Sequence, residues 1–590
     1  MTDLAREPRA VDPFLATLPA WAQRLARSIR AKQANTFVLH GQPAELVPLR
    51  PAGGAPPEFL LLDEFLPRHL LSGWPSVLTY NRAEGIGFSS AEARAHFLGR
   101  LVAYDAVHGT RWAEGLPRDA ANAFALLDSY FRHAAALSPA RPVALLLPYA
   151  ETLAPAGEGS SRSPEDRAVL VYLRKWARDP VLLAKNIVVV LVTESLADLD
   201  PQLVRASSTR EIEIPRPDAA ERHEFLDHLR PADWYARSPE LDAARLARLA
   251  AGMTRGQLAQ LADGADADGE PLSVGRVRAF KKEVLESEGL GLIEYLEPKY
   301  GLDMVAGMEP VKERLRRATR AIARGNPSAV PMGYLVCGPV GSAKTFLVEC
   351  FAHDLGFPMV KLKNFRSMWV GSTEANLERI LKILASLTPV GVMIDEADAA
   401  LGNREQSGDS GTQARVFASI ASFMADTRNR GRVLWFLITA RPDLLPVDLK
   451  RQGRAEEHIP LFYPESVAEV DEIYRVMKRK LRISTPVDSL IGIVPDEQLL
   501  GLSGSDLEAI LVRSILEAEA AERSEVAPED LARAFADFLP ATSAKERELQ
   551  ILAAVLECTS RELLPPKFRD LDRGELAARI AALKRELRGG

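Results

Sequence analysis

The run GPVGSAKT, from Gly338 to Thr345, nearly matches the phosphate-binding loop G-x-x-x-x-G-K-[ST]. An apolar strand pattern precedes it and a helical pattern follows, so the backbone N–H groups available between Pro339 and Lys344 are expected to surround a phosphate. Lys344 would contact the outer phosphates, and the Thr345 hydroxyl would bind Mg²⁺. The residues predicted to bind nucleotide in this stretch are Gly338, Pro339, Val340, Gly341, Ser342, Ala343, Lys344, Thr345 and Phe346.

Ala343 stands where the motif has its second glycine. If this position needs a positive φ, the alanine methyl group costs on the order of 1–2 kcal/mol. Many phosphate contacts remain in the loop, so the sequence predicts weakened rather than abolished nucleotide binding.

Two adjacent carboxylates, Asp395 and Glu396, end the apolar run of VGVMIDEAD (Val390 to Asp398). Ligands of parallel sheets bind at the carboxyl edge, where such a strand ends. Asp395 would hold Mg²⁺ through water, and Glu396 would orient and deprotonate an attacking water. The alternative is a strand end with two solvated acids, but the order and spacing of the two motifs favour a nucleotide site.

Strand-like apolar runs separated by helical patterns surround these motifs, which predicts an α/β fold with parallel sheets buried on both faces. In the first half of the chain the runs are NTFVLHG, PVALLLPY and NIVVVLVT, and in the second half MGYLVCG, PMVKL, VGVMID and VLWFLIT. From about Glu465 the pattern becomes helical. The last fifty residues indicate two amphipathic helices, either packed on the preceding domain or docking a partner.

Two segments interrupt the pattern between the halves. DGADADGE, Asp263 to Glu270, is acidic and glycine-containing and predicts a surface loop. The run from Glu286 to Gly301, ESEGLGLIEYLEPKYG, predicts a helix followed by a linker broken by proline.

The overall composition fits a multidomain globular protein. The 590 residues are enough for about three or four domains, 47% of them are hydrophobic, and the net charge of −6 does not favour general nucleic-acid binding. Cys337, Cys350 and Cys558 follow no metal or disulfide spacing, which fits a reducing cytosol. The polar N-terminus is not that of a signal peptide, and the apolar run Ile187 to Val192 is too short for a bilayer. We therefore expect a cytoplasmic protein without membrane contact.

With these motifs in place, the chain resembles the AAA ATPases, a clade that includes protein unfoldases, over roughly Leu302 to Phe538. The segment LDMVAGMEPVKERL is similar to the start of the family's module, and Asp303, Val305 and Gly307 match positions that line its adenine pocket. GLSGSDLEAIL resembles the lid motif that closes on the nucleotide, with Gly504 near the base. The resemblance implies a P-loop NTPase sheet with a helical lid, using ATP and Mg²⁺.

The stretch SMWVGSTEANLERIL resembles the family's first pore loop and the helix after it. In that family an aromatic residue at the position of Trp369 grips an extended polypeptide, and Met368 would add an adaptable apolar surface. The alternative is an aromatic ring packed beneath the loop. Ser367 and Gly371 flank the pair and indicate a mobile, exposed loop, which favours gripping.

The stretch LITARPDLLPVDLKRQGRAEEHIPLFYP resembles the family's second region of homology. Arg454 matches the first arginine finger, which would reach the γ-phosphate of a neighbouring subunit; the alternative is a surface ion pair. Ala440 stands where sensor 1 is usually Asn, and Glu457 stands at the second finger. Thr439 is adjacent to Ala440, but neighbouring strand residues face opposite sides, so it is not expected to substitute. The absence of a polar sensor 1 residue and of a second arginine finger predicts slow hydrolysis.

Two stretches, LDMVAGMEPVKERL (from Leu302) and GDSGTQARVF (from Gly408), are most similar to a bacterial and plastid group known as hypothetical chloroplast reading frames. That group pairs a degraded N-terminal domain with one AAA module. Here Ile187 to Asp218 parallels the second region of homology, which indicates a degenerate AAA-like copy; the alternative is an unrelated α/β domain. QPAELVPL after the first strand has no Lys-Thr, and Tyr149 and Ala150 replace Asp-Glu, so no hydrolysis is expected there.

The resulting expectation is an ATP-driven remodeller of an unknown protein client, assembled as a homo-oligomeric, hexameric ring. A slow-turnover nucleotide-gated scaffold or switch is the alternative, and a DNA-directed ATPase has little support. The expected segments are 1–270, a degenerate AAA-like α/β domain with lid; 271–300, a linker; 301–465, the ATPase α/β subdomain; 466–540, its helical lid; and 541–590, a helical tail.

Overall fold

The continuous apolar runs of the chain form the strands of two mainly parallel sheets, one in each of two separately packed units. The structure, a computed structural model, describes residues 13–51, 56–157, 162–324, 326–363, 373–401, 410–539 and 543–588. The units are Met1–Lys281 and Lys282–Gly590. The predicted α/β fold is confirmed.

In the first unit, six described strands form one sheet in the order β5-β4-β6-β7-β1-β8, and only the edge pair β4–β5 is antiparallel. β2 and β3 form a separate hairpin. The central strands β1, β6 and β7 are buried along their whole length because helices cover both faces of the sheet. The strands are β1 (Thr36–Gly41), β2 (Val47–Leu49), β3 (Glu58–Leu60), β4 (Ser76–Asn81), β5 (Gly85–Phe88), β6 (Val143–Leu147), β7 (Ile187–Val192) and β8 (Thr209–Ile214).

The helices that follow β8 form a group with its own apolar core. The boundary between the two units falls within the last helix of this series, α13 (Val274–Glu288). In chain order the helices are α1 (Pro13–Thr17), α2 (Ala20–Arg30), α3 (Leu62–Phe65), α4 (Ala91–His108), α5 (Ala120–Ala136), α6 (Pro164–Ala177), α7 (Pro180–Ala184), α8 (Pro201–Val204), α9 (Ala219–Leu229), α10 (Ala232–Ala236), α11 (Ala243–Leu249), α12 (Arg255–Asp268) and α13 (Val274–Glu288).

The predicted surface loop from Asp263 to Glu270 is wrong, because α12 continues to Asp268. Ala262 and Ala265 are buried in the core of this helical group, and Asp266 accepts hydrogen bonds from the Trp234 indole and from arginines of the preceding helices. Tertiary packing therefore extends the helix, which ends only where Gly269 adopts φ 69°.

In the second unit the described strands form a sheet in the order β14-β10-β13-β12-β11-β9, with only β9 antiparallel. The strands are β9 (Ile293–Leu296), β10 (Gly333–Cys337), β11 (Met359–Leu362), β12 (Val390–Ile394), β13 (Val433–Thr439) and β14 (Glu457–Pro460). Residues 271–300, for which a linker is predicted, contain α13 and β9. Ile293 and Tyr295 of β9 are buried in the sheet's core, and this burial orders the segment.

The helices of the second unit divide between the sheet and a separate helical group with its own core, α19 to α22. The last two helices return to the sheet, and Ala554, Val555, Cys558 and Leu576 join its cores. The helices are α14 (Glu309–Ala323), α15 (Lys344–Leu355), α16 (Thr373–Ser386), α17 (Ala397–Leu401), α18 (Ser410–Met424), α19 (Val467–Lys480), α20 (Asp496–Leu499), α21 (Gly504–Ala520), α22 (Pro528–Asp537), α23 (Ala544–Glu557) and α24 (Arg573–Arg588).

The two sheets have the same connectivity when each is followed from its antiparallel edge. Each sheet has five described parallel strands, which can be numbered 1 to 5 in chain order. Starting beside the antiparallel edge strand, their order across the sheet is 2-3-4-1-5 in both units. None of the helices in the described ranges combines the length and apolar composition that a bilayer crossing requires.

Candidate functional site

A cavity of about 650 Å³ opens at the carboxyl edge of the second unit's sheet. The loop after β10, the ends of β12 and β13, the segment before α14 and helices α19, α21 and α23 line it. The predicted residues that line it are Val305, Val340, Gly341, Ser342, Ala343, Lys344, Thr345, Phe346, Asp395, Glu396 and Gly504. Of the predicted residues that the structure describes, the following do not line it: Asp303, Gly307, Gly338, Pro339 and Arg454.

The loop after β10 passes too close to its neighbours for side chains at two glycines. At Gly338, φ is 148° and a Cβ would lie 2.1 Å from the Leu461 carbonyl oxygen. At Gly341, φ is 85° and a Cβ would lie 2.6 Å from the Ser503 hydroxyl oxygen, just before α21. The loop is therefore fixed between the end of β14 and the helical group, with its backbone open to the cavity.

Ala343 adopts φ 61° and ψ 28° immediately before α15. This is the left-handed conformation for which the sequence predicts a cost, on the order of 1–2 kcal/mol.

The Lys344 ammonium group donates to the carbonyl oxygens of Gly338 (2.9 Å) and Pro339 (2.8 Å). Burial lowers the Lys344 pKa to about 8, although nearby Asp395 and other acidic groups oppose the shift. Lys344 lines the cavity, and among the described residues no carboxylate forms a salt bridge with it.

The acidic pair directly follows β12, and both residues line the cavity. The Asp395 Oδ2 atom lies 3.5 Å from the Thr345 hydroxyl and 2.9 Å from the Lys361 ammonium group. Glu396 adopts φ 48°, a conformation that is uncommon for a residue with a side chain, and its N–H donates to Asp395 Oδ1. In the described part of the chain no group of three or more His, Cys, Asp or Glu residues is arranged to hold a metal ion.

The end of β13 contributes both Thr439 and Ala440 to the cavity wall. β13 ends at Thr439, so Ala440 is the first residue after the strand, and that Thr439 does not substitute for sensor 1 stays a prediction. The Thr439 hydroxyl donates to Asp398 Oδ1 (2.6 Å) and accepts from the Arg441 N–H (2.8 Å). Thr439 is thus already hydrogen-bonded within the protein.

Arg454 lies away from the cavity of its own chain. It donates to the Asp448 carbonyl oxygen (2.6 Å), and burial lowers its pKa. Glu457, at the second finger position, instead accepts two hydrogen bonds from the Arg314 guanidinium (2.7 and 3.3 Å). The two positions therefore differ: the first has an arginine outside its own site, and the second a glutamate paired within the chain.

The first unit has a buried ion pair at the position equivalent to this site. Gly41 ends the first parallel strand, just as Gly338 directly follows β10, and each lies against a neighbouring carbonyl; a Cβ at Gly41 would lie 2.6 Å from the Ile214 oxygen. Four residues later Glu45 pairs with Arg255, the first residue of α12, and both side chains are 3% exposed. No helix follows the loop directly; the hairpin β2–β3 does.

The start of α12 matches that of α21. Thr254 and Ser503 each cap their helix and share a capping box with the residue three positions later. Arg255 therefore stands where Gly504 stands in the second unit. A large buried guanidinium replaces the glycine that lies over the phosphate loop.

Met368 and Trp369, the predicted pore-loop residues, lie outside the described residues, as does residue 408 of the GDSGTQARVF run.

Lys361 and Gln550 are among the side chains at the site that the sequence did not predict. Lys361 lies in β11, and Gln550 of α23 accepts a hydrogen bond from the Val340 N–H. Lys361 could have been found from the sequence, because it is a lysine within the otherwise apolar run PMVKL. No local pattern indicates that Gln550 belongs to the site.

Comparison with known families places both units in one class. Residues 10–215 match "AAA+ chaperone, N-terminal Rossmann-like domain", residues 220–289 match "AAA+ chaperone, second helical domain", and residues 334–463 match "ATPase family associated with various cellular activities (AAA)". The chain belongs to the AAA+ ATPases, and it is of the chaperone type, with an N-terminal domain and a C-terminal AAA module.

Individual relatives are similar at low identity. The Cell division cycle protein 48 homolog of Archaeoglobus fulgidus is 26% identical over 402 residues, covering 62% of this chain and 53% of that protein. The uncharacterized AAA domain-containing protein ycf46 of Trieres chinensis is 28% identical over 218 residues, covering 36% of this chain and 42% of that protein. Peroxisomal ATPase PEX6 of Rattus norvegicus is 26% identical over 407 residues, covering 63% of this chain and 40% of that protein. The chain thus spans about half or less of these relatives' lengths.

Proposed function

We propose that the second unit binds ATP with Mg²⁺ in the cavity and hydrolyses the ATP, and that the chain uses this cycle in a hexameric ring to remodel or unfold a protein client. The main support is that one cavity brings together Lys344, Asp395 and Glu396 at a sheet's carboxyl edge. Membership of the AAA+ ATPases supports the same chemistry.

The residues at the cavity fit a triphosphate. Gly338 and Gly341 leave the loop backbone uncovered, and Lys344 has carbonyl partners but no salt-bridged carboxylate among the described residues. The Ser342 hydroxyl is buried and has no hydrogen-bond partner in the part of the chain that the structure describes. A phosphate oxygen would satisfy such groups.

Each polar residue then has a defined task. Lys344 would hold the outer phosphates. Thr345 and Asp395 would hold Mg²⁺, which when bound would neutralise charge on the phosphate oxygens. Glu396 orients a water whose oxygen attacks the γ-phosphorus while the bond to the β–γ bridging oxygen breaks. Glu396 accepts the water proton, and ADP and phosphate leave.

The nucleotide's base is proposed to lie near the segment before α14, at Asp303, Val305 and Gly307, with Gly504 of the lid opposite. Val305 and Gly504 line the cavity, whereas the Gly307 N–H donates to Glu472 of α19 and so ties this segment to the lid. The proposed segments are 301–465 for the ATPase subdomain, 466–540 for the lid and 541–590 for the C-terminal helices.

A ring is proposed because Arg454 does not line the cavity of its own chain. Its guanidinium group would offset transition-state charge only at a neighbour's γ-phosphate. Trp369 and Met368 are proposed to grip the client, and the protein is proposed to act in the cytoplasm. The client's identity is left open.

A slow-turnover, nucleotide-gated scaffold or switch is the second candidate. Ala440 provides no polar group at the sensor 1 position, and Glu457 is paired with Arg314 instead of offering a second finger. Both features favour slow hydrolysis over rapid threading. Trp369→Ala separates the candidates, because client remodelling that survives it with unchanged ATPase activity contradicts threading.

The proposed function is tested with Lys344→Ala and Glu396→Gln in the full chain. Lys344→Ala should abolish binding of ATP, measured by calorimetry. Glu396→Gln should bind ATP, remain assembled in light scattering and retain the client in a pull-down. Normal ATP turnover by Glu396→Gln would contradict the assignment of the general base.

A further inference from the structure

Helix α23, near the C-terminus, reaches the phosphate loop. The Gln550 side-chain oxygen accepts a hydrogen bond from the Val340 N–H (3.0 Å), and the Tyr463 hydroxyl donates to the Val340 carbonyl oxygen (2.5 Å). Side chains from outside the loop therefore hold both backbone polar groups of Val340.

Gln550 is only 4% exposed and lines the cavity. Its amide nitrogen donates to Glu546 one turn earlier (3.4 Å), and the Glu546 N–H is in turn capped by the Ser543 hydroxyl (3.2 Å). Because Glu546 accepts from the nitrogen, the Gln550 oxygen is left to face Val340.

The same pair of helices also contacts the segment after β13. Arg441, which lines the cavity, lies 3.8 Å from Glu546, and Lys584 of α24 forms a 2.6 Å ion pair with Asp443. Asp443 accepts two further hydrogen bonds from Arg441, both 3.0 Å. The helices thus contact two walls of one cavity.

We propose that Gln550 is a positioning residue of the nucleotide site, and that α23 and α24 are a built-in part of that site; this inference rests on the proposed function. Gln550 holds the loop at Val340, so that the backbone N–H groups that follow stay directed at the phosphates. Its amide is neutral, so it satisfies the Val340 N–H without adding negative charge beside a triphosphate.

A purely structural role would predict that any acceptor of the same size serves equally well. Gln550→Glu keeps the size and the acceptor oxygen but adds a negative charge at the cavity wall. If Gln550 belongs to the nucleotide site, this charge must repel ATP more than ADP, and salt must weaken the repulsion.

The test titrates the full chain with fluorescent N-methylanthraniloyl analogues of ATP and ADP at two salt concentrations. Gln550→Ala should raise both Kd values roughly two- to tenfold, the range for one neutral hydrogen bond. Gln550→Glu should raise the ATP Kd more than the ADP Kd, with a ratio that shrinks at high salt. The matched control is Glu548→Gln, two residues away in α23, where Glu548 pairs with Arg579 of α24.

An unchanged ATP-to-ADP ratio in Gln550→Glu, in protein whose melting temperature matches the wild type, would overturn the inference and leave the proposed function standing. A wild-type chain that binds neither analogue would overturn the proposed function and this inference together. If Glu548→Gln changed the affinity for the analogues as much as Gln550→Glu does, the inference would also be contradicted, because the effect would then be general to the helix.

Discussion

The Lys361 ammonium group donates to Asp395 Oδ2 at 2.9 Å, and the same oxygen lies 3.5 Å from the Thr345 hydroxyl. β11 and β12 are adjacent parallel strands, with Lys361 opposite Met393, two residues before Asp395. A side-chain cation thus contacts the carboxylate that is proposed to hold Mg²⁺. The metal must compete with it.

Replacing Lys361 with methionine should therefore lower the Mg²⁺ concentration that gives half-maximal ATPase activity. The pair is partly exposed, so the expected change is about two- to fivefold. Lys363→Met is the control, since Lys363 pairs with Glu294 (2.9 Å) and neither residue lines the cavity. A Mg²⁺ requirement that rises in Lys361→Met would mean that the lysine assists the metal.

Ala440→Asn should increase turnover. The residue lines the cavity where an amide could contact developing charge, and loss of one such donor commonly costs two orders of magnitude or more. We expect kcat to rise roughly tenfold with little change in KM. Ala440→Leu, of similar size but without an amide, should not increase it; equal gains in both variants would rule out a polar effect.

Each chain should bind one ATP. Glu45 and Arg255 fill the first unit's equivalent position with a buried ion pair, and no Lys-Thr follows its first strand. Calorimetry should give a stoichiometry of one per chain, falling to zero in Lys344→Ala. A residual site in that variant would show that the first unit still binds nucleotide.

The helical group α19 to α22 contains a carboxylate whose charge stabilises the fold above about pH 4. Asp530 is fully buried and accepts from Arg523 (2.7 and 2.8 Å), which holds its pKa well below the usual range. Because the folded pKa is the lower one, this stabilisation is present above the unfolded pKa, about 3.9, and is lost as pH falls towards the folded value.

Asp530→Asn should accordingly lower Tm at pH 7, and the difference from the wild type should shrink as pH falls below 4. Asp537→Asn, at an 84% exposed position of the same helix, is the control and should change Tm little at any pH. A Tm difference for Asp530→Asn that is independent of pH would assign its effect to packing alone.

Local patterns were sufficient to predict the strands that precede the two motifs, β10 and β12, and the motifs themselves. Buried runs such as Val390–Ile394 are apolar throughout, and Lys344, Asp395 and Glu396 follow strands whose ends must meet at one sheet edge. The sequence raised a positive φ at Ala343 only as a condition, and the structure shows φ 61° there.

Contacts between distant parts of the chain could not be predicted in this way. Gln550 and Val340 are 210 residues apart, and nothing near either residue indicates the other. Asp263 to Asp268 has a loop-like composition but is helical because Ala262 and Ala265 are buried. Long-range packing decided both cases.

The central claim, that each active site is completed by the neighbouring subunit, is tested most directly by mixing two inactive variants. Lys344→Ala keeps Arg454 but should bind no ATP, whereas Arg454→Ala should bind ATP but lacks the finger. Mixed at equal concentrations, the two should regain ATPase activity, because some interfaces then join an intact nucleotide site to an intact arginine. A mixture as inactive as its components, or full activity of Arg454→Ala by itself, would contradict the claim.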